Sequence, residues 1–149
     1  HGWGSIVEWG ELKGNHYWRF RVAPDEKQAG RAVLRISFGQ SWYDGQSNLA
    51  DGKWHHVAVV DAGLSDHIGS PDLKFYVDGA EEPAILNSNS TATYTGSVEE
   101  GLPMIMGLNR GPMMAPHYHK FHGMMDELFI FRAALSPTHV QQILQTHQP

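Results

Sequence analysis

Cysteine is absent from the 149 residues. That excludes disulfide staples, thiolate metal centres and cysteine nucleophiles, and it leaves the compartment open. Charge is sparse as well: Asp, Glu, Lys and Arg make up 18% of the chain, with a net charge of −5 when histidine is neutral. No run of Lys or Arg occurs, and Arg19, Arg21, Arg31, Arg35, Arg110 and Arg132 are scattered along the sequence. The electrostatic footprint of a nucleic-acid partner or an anionic membrane is therefore missing. No stretch approaches the roughly 18 apolar residues that a membrane span needs. Nor does a basic-then-apolar leader open the chain, so an exported protein would be represented here by its mature part or by a fragment.

What remains is the profile of one globular core, with 41% apolar residues, 11% aromatics and 16 glycines. The chain is too short for two ordinary domains. Its dominant period is two. Trp18, Phe20 and Val22 alternate with Tyr17, Arg19 and Arg21; Ala32, Leu34, Ile36 and Phe38 share one side of the next run; Leu73, Phe75 and Val77 alternate with Lys74, Tyr76 and Asp78. Such alternation belongs to strands with one face in a core. Ser5–Trp9, Trp54–Asp61, Pro103–Leu108 and Phe121–Phe131 are further expected strands. Trp54–Asp61 is apolar on both faces, which predicts a central strand with its outer face partly covered. Trp18 and Trp54 are expected in the core. Asp44-Gly45, Asp51-Gly52 and Asp78-Gly79 supply turns. A single helix is expected near the end, capped by Ser136 with Pro137 at its first position and a Val140, Ile143, Leu144 stripe. Strands at this spacing without intervening helices predict an all-β sandwich or barrel. The stretch from Ala84 to Thr95 reads as a polar, mobile loop.

Four landmarks then follow in order. Asp51-Gly52-Lys53-Trp54-His55-His56-Val57-Ala58-Val59 resembles the "DGxWHHVAV" strand of laminin-G-like domains in the concanavalin-A-like lectin/glucanase superfamily. Leu73 to Gly79 resembles that family's "YVDG" hairpin, and Met104-Ile105-Met106-Gly107 its "lxIG" strand. Phe121 to Ser136 is similar to its "fxGxiDEvriynrALs" ending, and Ile6-Val7-Glu8-Trp9-Gly10 is similar to bacterial, planctomycete-type modules. The resemblance implies a two-sheet antiparallel jelly-roll sandwich with a short C-terminal helix, residues 1–149 forming one domain. Family members carry a further strand before the "IVEWG" strand, and only about five residues precede it here. An open sheet edge and self-association through it are the expected consequence. The setting implied is extracellular, cell-surface or periplasmic.

The laminarinase-like hydrolases on this fold carry an E-x-D-x-x-E strand, and no such run exists here. Glu8 and Glu11 straddle Gly10, and Asp126 and Glu127 are neighbours that face opposite ways on a strand. The function expected is therefore a non-catalytic carbohydrate- or glycan-binding module. A protein-adhesion or spacer module is the alternative, and a glycosidase or polysaccharide lyase the minor one. Trp42 and Tyr43 at a strand-end turn are candidates to stack on a sugar. Asn109, Arg110 and Tyr118 join them from a long irregular stretch of the kind where recognition residues sit. If Leu128 and Ile130 face the core, so does Asp126, and a buried carboxylate needs compensation. Backbone N–H groups near Gly123 or a calcium ion would each provide it. His117 and His119, on one face of an extended segment, form a weaker metal candidate. His55 and His56 read as a structural pair.

Overall fold

The alternating runs become strands in the computed structural model, which describes residues 4–11, 16–39, 41–62, 73–87, 103–108 and 120–147. The strands are β1 (Gly4–Glu11), β2 (His16–Pro24), β3 (Ala32–Phe38), β4 (Ser41–Asp44), β5 (Val57–Asp61), β6 (Leu73–Val77), β7 (Ala80–Pro83), β8 (Ile85–Leu86) and β9 (Ile105–Met106). They precede one helix, α1 (Pro137–Thr146). A six-stranded sheet runs β8-β4-β3-β2-β1-β9 and a three-stranded sheet runs β5-β6-β7, every described pairing being antiparallel. The protein is an all-β, jelly-roll-type sandwich with a short C-terminal helix.

The core lies between the sheets. Val7, Phe20, Leu34, Ile36 and Tyr43 come from the large sheet and meet Leu73, Phe75 and Val77 of the small one, with Trp18, Phe38, Val57 and Val59 packed around them. A fully buried Leu or Phe contributes about 1.5–3 kcal/mol relative to exposure. A bulge between Ser5 and Val7 sets the phase of β1, so that Val7 opposes Phe20 and Glu8 opposes Arg19. Asp78 and Gly79 join β6 to β7 with both φ values positive, 52° and 79°, the requirement of a two-residue turn matched to strand twist.

The helix closes the other face of the small sheet. Ser136 accepts the His139 N–H, and Pro137 opens the first turn. Val140 is buried against Val60 and Tyr76, with Ala58 and Leu135 beside them. This explains why Trp54–Asp61 reads as apolar on both faces: its outer side chains sit under α1. Among the described residues, however, β5 ends its sheet rather than lying centrally. Trp54 is 48% exposed, not in the core, because the strand begins only at Val57.

The largest departure is the segment 121–131, expected as a strand. It forms no ladder among the described residues. Its Phe121 N–H donates to the Gly107 carbonyl at 2.9 Å, and Glu127, at φ 49°, turns the chain through the left-handed region, which breaks the alternation. In the expected polar loop, Ile85-Leu86 instead pairs with β4 as a short strand; positions 88–95 lie outside the described residues.

Candidate functional site

The face of the large sheet turned away from the core is charged. Because residues opposite one another on adjacent strands share a face, the register collects side chains distant in sequence. Glu8 opposes Arg19, Arg19 opposes Ser37, Arg21 opposes Arg35, Arg35 opposes Asp44 and Ser37 opposes Trp42. Glu8 and Arg35 are each only 1% exposed, and removing an ion from water costs several kcal/mol unless it is well paired. Pairing is what the site provides. Arg19 Nε donates to Glu8. Arg35 donates to both Asp44 oxygens, Nε at 2.5 Å and Nη2 at 2.7 Å. It also reaches Glu26 at 3.1 Å, while Asn87 Nδ2 donates to Asp44 at 2.7 Å.

Two aromatic rings complete this face. The Arg35 guanidinium lies 5.3 Å from the centre of the Trp42 ring, and that of Arg19 lies 5.1 Å from the Tyr17 ring, both within cation–π range. Arg21 donates to Ser37 Oγ at 3.3 Å. Burial, then the neighbouring Arg19 and Arg35 charges, lower its pKa to about 9, against a weaker pull upward from Tyr17 and Asp44. Tyr17, Arg21 and Trp42 remain half-buried, so a floor of ion pairs supports three partly accessible side chains.

A second cluster joins two of the sequence landmarks. His55 shares one ring nitrogen with Asp78 at 2.8 Å and the other with Asp51 at 2.9 Å. Asp78 also accepts the His56 N–H at 3.0 Å, and its own N–H donates to the His56 carbonyl at 2.8 Å. Partial burial alone would lower the His55 pKa, but the hydrogen bonds to Asp78 and Asp51 outweigh it and raise it. Asp51 is held at about 2, chiefly by His55 and by the Lys53 N–H. Burial lowers His56. This clasp ties the loop before β5 to the β6–β7 turn, which fits the structural reading of the histidine pair.

Of the residues singled out in sequence, Trp42 joins the charged face. Tyr43 does not: successive residues of β4 point to opposite faces, and its ring is in the core at 5% exposure. Asn109, Arg110, His117, Tyr118 and His119 lie outside the described residues. Asp126 is exposed rather than turned toward the core, and its Oδ1 accepts the Glu127 N–H at 3.0 Å. Calcium takes six to eight oxygens, backbone carbonyls among them, and no group of three or more metal-ligating side chains forms among the described residues. The convergence of Arg19, Arg21 and Arg35 went unseen because the arginines looked scattered. The one available signal was their position out of phase with the apolar residues of β2 and β3.

The family model of the concanavalin A-like lectin/glucanases superfamily, in its laminin-G form, matches residues 2–141. The chain belongs to that superfamily, whose name spans sugar binders and glucan hydrolases. No curated protein matches it. A similar solved structure is that of an S-layer domain-containing protein from Clostridium thermocellum, at 22% identity and a TM-score of 0.41. The match covers 95% of this chain and 63% of that one, so the chain spans less than two thirds of that structure's length. No helix among the described residues is long and apolar enough to cross a membrane.

Proposed function

We propose that this domain is a non-catalytic carbohydrate-binding module of an exported, surface-located multidomain protein, with the charged face of the large sheet as its glycan seat. The observation that carries the reading is the set Tyr17, Arg21 and Trp42, half-buried above rigid ion pairs. Rings and guanidinium groups held in place suit a polar, ring-shaped ligand, since little rotamer freedom is lost on binding.

Spacing supports the absence of catalysis. Glu8 and Asp44 are the described carboxylates on strands of this face; they stand on β1 and β4, three strand intervals apart. At ~4.8 Å per interval that is roughly 14 Å, beyond the ~5–9.5 Å that glycoside hydrolysis requires. Each is also engaged by an arginine. A protein-adhesion or spacer role is the second reading. It is favoured by the near-complete burial of Glu8 and Arg35, which leaves a ligand only their neighbours to touch.

A glycan array with and without calcium, followed by titration calorimetry, tests the proposal. Retention of a glycan, weakened about two- to tenfold by Trp42→Ala as for loss of one aromatic contact, is the expected result. Absence of binding at millimolar glycan would move the assignment to the spacer role, and turnover of a β-glucan would overturn the non-catalytic reading.

A further inference from the structure

On the charged face the guanidinium groups outnumber the strand-borne carboxylates. Arg19 and Arg21 lie on β2, and Arg35 of β3 opposes Arg21. The described strand carboxylates here, Glu8 and Asp44, are gripped by Arg19 and Arg35 in turn. Glu26, which also reaches Arg35, belongs to the loop after β2 and is 61% exposed, so water screens its charge. Acceptors are scarce as well. The Trp42 indole N–H is buried and meets none among the described residues, and Arg21 donates to the neutral hydroxyl of Ser37 at 3.3 Å. Burial, then the flanking Arg19 and Arg35 charges, hold the Arg21 pKa at about 9, and a negative charge brought to this face would oppose that shift.

Position decides which anion fits. Arg21 and Trp42 rise from β2 and β4, on either side of β3, and both lean over it. Arg21 reaches Ser37, and the Trp42 ring lies 5.3 Å from the Arg35 guanidinium. Ser37 and Arg35 are two residues apart on one face of β3, roughly 6.6 Å, which is the scale of one sugar ring with its substituent. A uronic acid carries its carboxylate directly on the ring. Its two coplanar oxygens match the fork of a guanidinium, and ring and charge arrive as one rigid unit, so little freedom is lost on binding. A neutral sugar would bring acceptors but no charge. We infer, resting on the glycan seat proposed above, that the ligand of this face is an acidic glycan whose uronic acid sets its carboxylate at Arg21 and its ring against Trp42.

A glycan array carrying uronate-bearing, sulfated and neutral glycans tests the class on the 149-residue chain. Titration calorimetry then compares the best-retained uronate oligosaccharide with its methyl ester, which keeps the rings and removes the charge. The acid binds about tenfold or more tightly than the ester, as for a hydrogen bond to a charged group. Arg21→Gln weakens the acid about ten- to a hundredfold and leaves the ester unchanged, while Arg21→Lys, which keeps the charge without the fork, recovers part of the loss. Thermal melting monitors the folding of both variants, and the acid–ester comparison needs the wild type alone. An ester as tight as the acid, retention of sulfated glycans without uronates, or an Arg21→Gln protein that keeps the preference would overturn the acidic ligand and leave the carbohydrate reading standing. Retention of no glycan of any charge would remove both.

Discussion

Replacing Arg35 by Met is the sharpest probe of the charged face. The guanidinium is 1% exposed and grips Asp44, itself 8% exposed, through two hydrogen bonds. After the substitution Asp44 keeps the amide of Asn87 and the attraction of the Arg21 charge, but loses the guanidinium that grips both of its oxygens. Breaking one half of a buried pair costs about 3–5 kcal/mol, because the remaining charge is left in a poor solvent. Both groups are nearly inaccessible, so water screens little of this. The loss is a large share of the ~5–15 kcal/mol by which domains are stable. At about 2–4 °C per kcal/mol for a chain of this size, the melting temperature falls by roughly 10 °C. In urea the midpoint moves by about 2 M, taking a slope of about 2 kcal/mol/M. Tryptophan fluorescence is the natural readout, since Trp42 lies against Arg35. The decisive comparison is Arg35→Met with Asp44→Leu. Removing both charges leaves no orphan, so the double variant recovers most of the loss, with a coupling of about 2 kcal/mol or more. A single substitution costing under about 1 kcal/mol, or a double variant as weak as Arg35→Met, would mean that Asp44 reaches water or another donor and that the pair is not the floor of the site.

Two further outcomes are expected. His55 has a raised pKa, so its stabilisation is complete below its unfolded value near 6.5 and is lost as pH rises through the higher folded value. Asp51, lowered to about 2, contributes above its ordinary value and loses that contribution as pH falls through about 2. The stability difference between wild type and His55→Gln, in which the opposing effect of His56 cancels, is therefore largest near about pH 5. It shrinks in alkaline solution; urea titrations giving a flat or growing difference would exclude the clasp as ionic. For calcium, an ion bound only to the folded state stabilises it by mass action, so a melting temperature that falls in EDTA and recovers with added calcium would show a bound ion, and an Asp126→Asn protein that keeps the full EDTA response would exclude Asp126 as its ligand.

Much of the fold was legible because it depends on local signals. Ser136-Pro137 announced the helix start, and Asp78-Gly79 announced the hairpin, where a β-carbon on Gly79 would stand 3.0 Å from Leu144 and φ is positive. Alternation in β2, β3 and β6 sorted core from surface correctly for Phe20, Leu34 and Phe75. What alternation along one strand does not contain is the register between strands. Arg21 and Arg35 face each other only because β2 and β3 pair as they do, so the candidate site stayed hidden although alternation had already set Tyr17, Arg19 and Arg21 opposite the apolar face. Tyr43 illustrates the converse: a turn-proximal aromatic looked available until its phase on β4 placed it inward. For Phe121–Phe131 the pattern promised a strand, yet one left-handed residue, Glu127, is enough to withhold it.

The order of the strands also bears on how the molecule assembles. β1 to β4 form a run of successive hairpins, and β5 to β7 form another, so most of both ladders closes over short loops. β9 instead reaches back from the far part of the chain to Val7 and Glu8, and α1, the last element, covers Val60 and Tyr76. Loop-closure entropy delays such distant contacts. On a ribosome the two meanders can therefore form while β9 and the helix are still being made. During that interval the outer face of the small sheet stands bare, and it is sealed only when α1 has emerged and docked on Val60 and Tyr76.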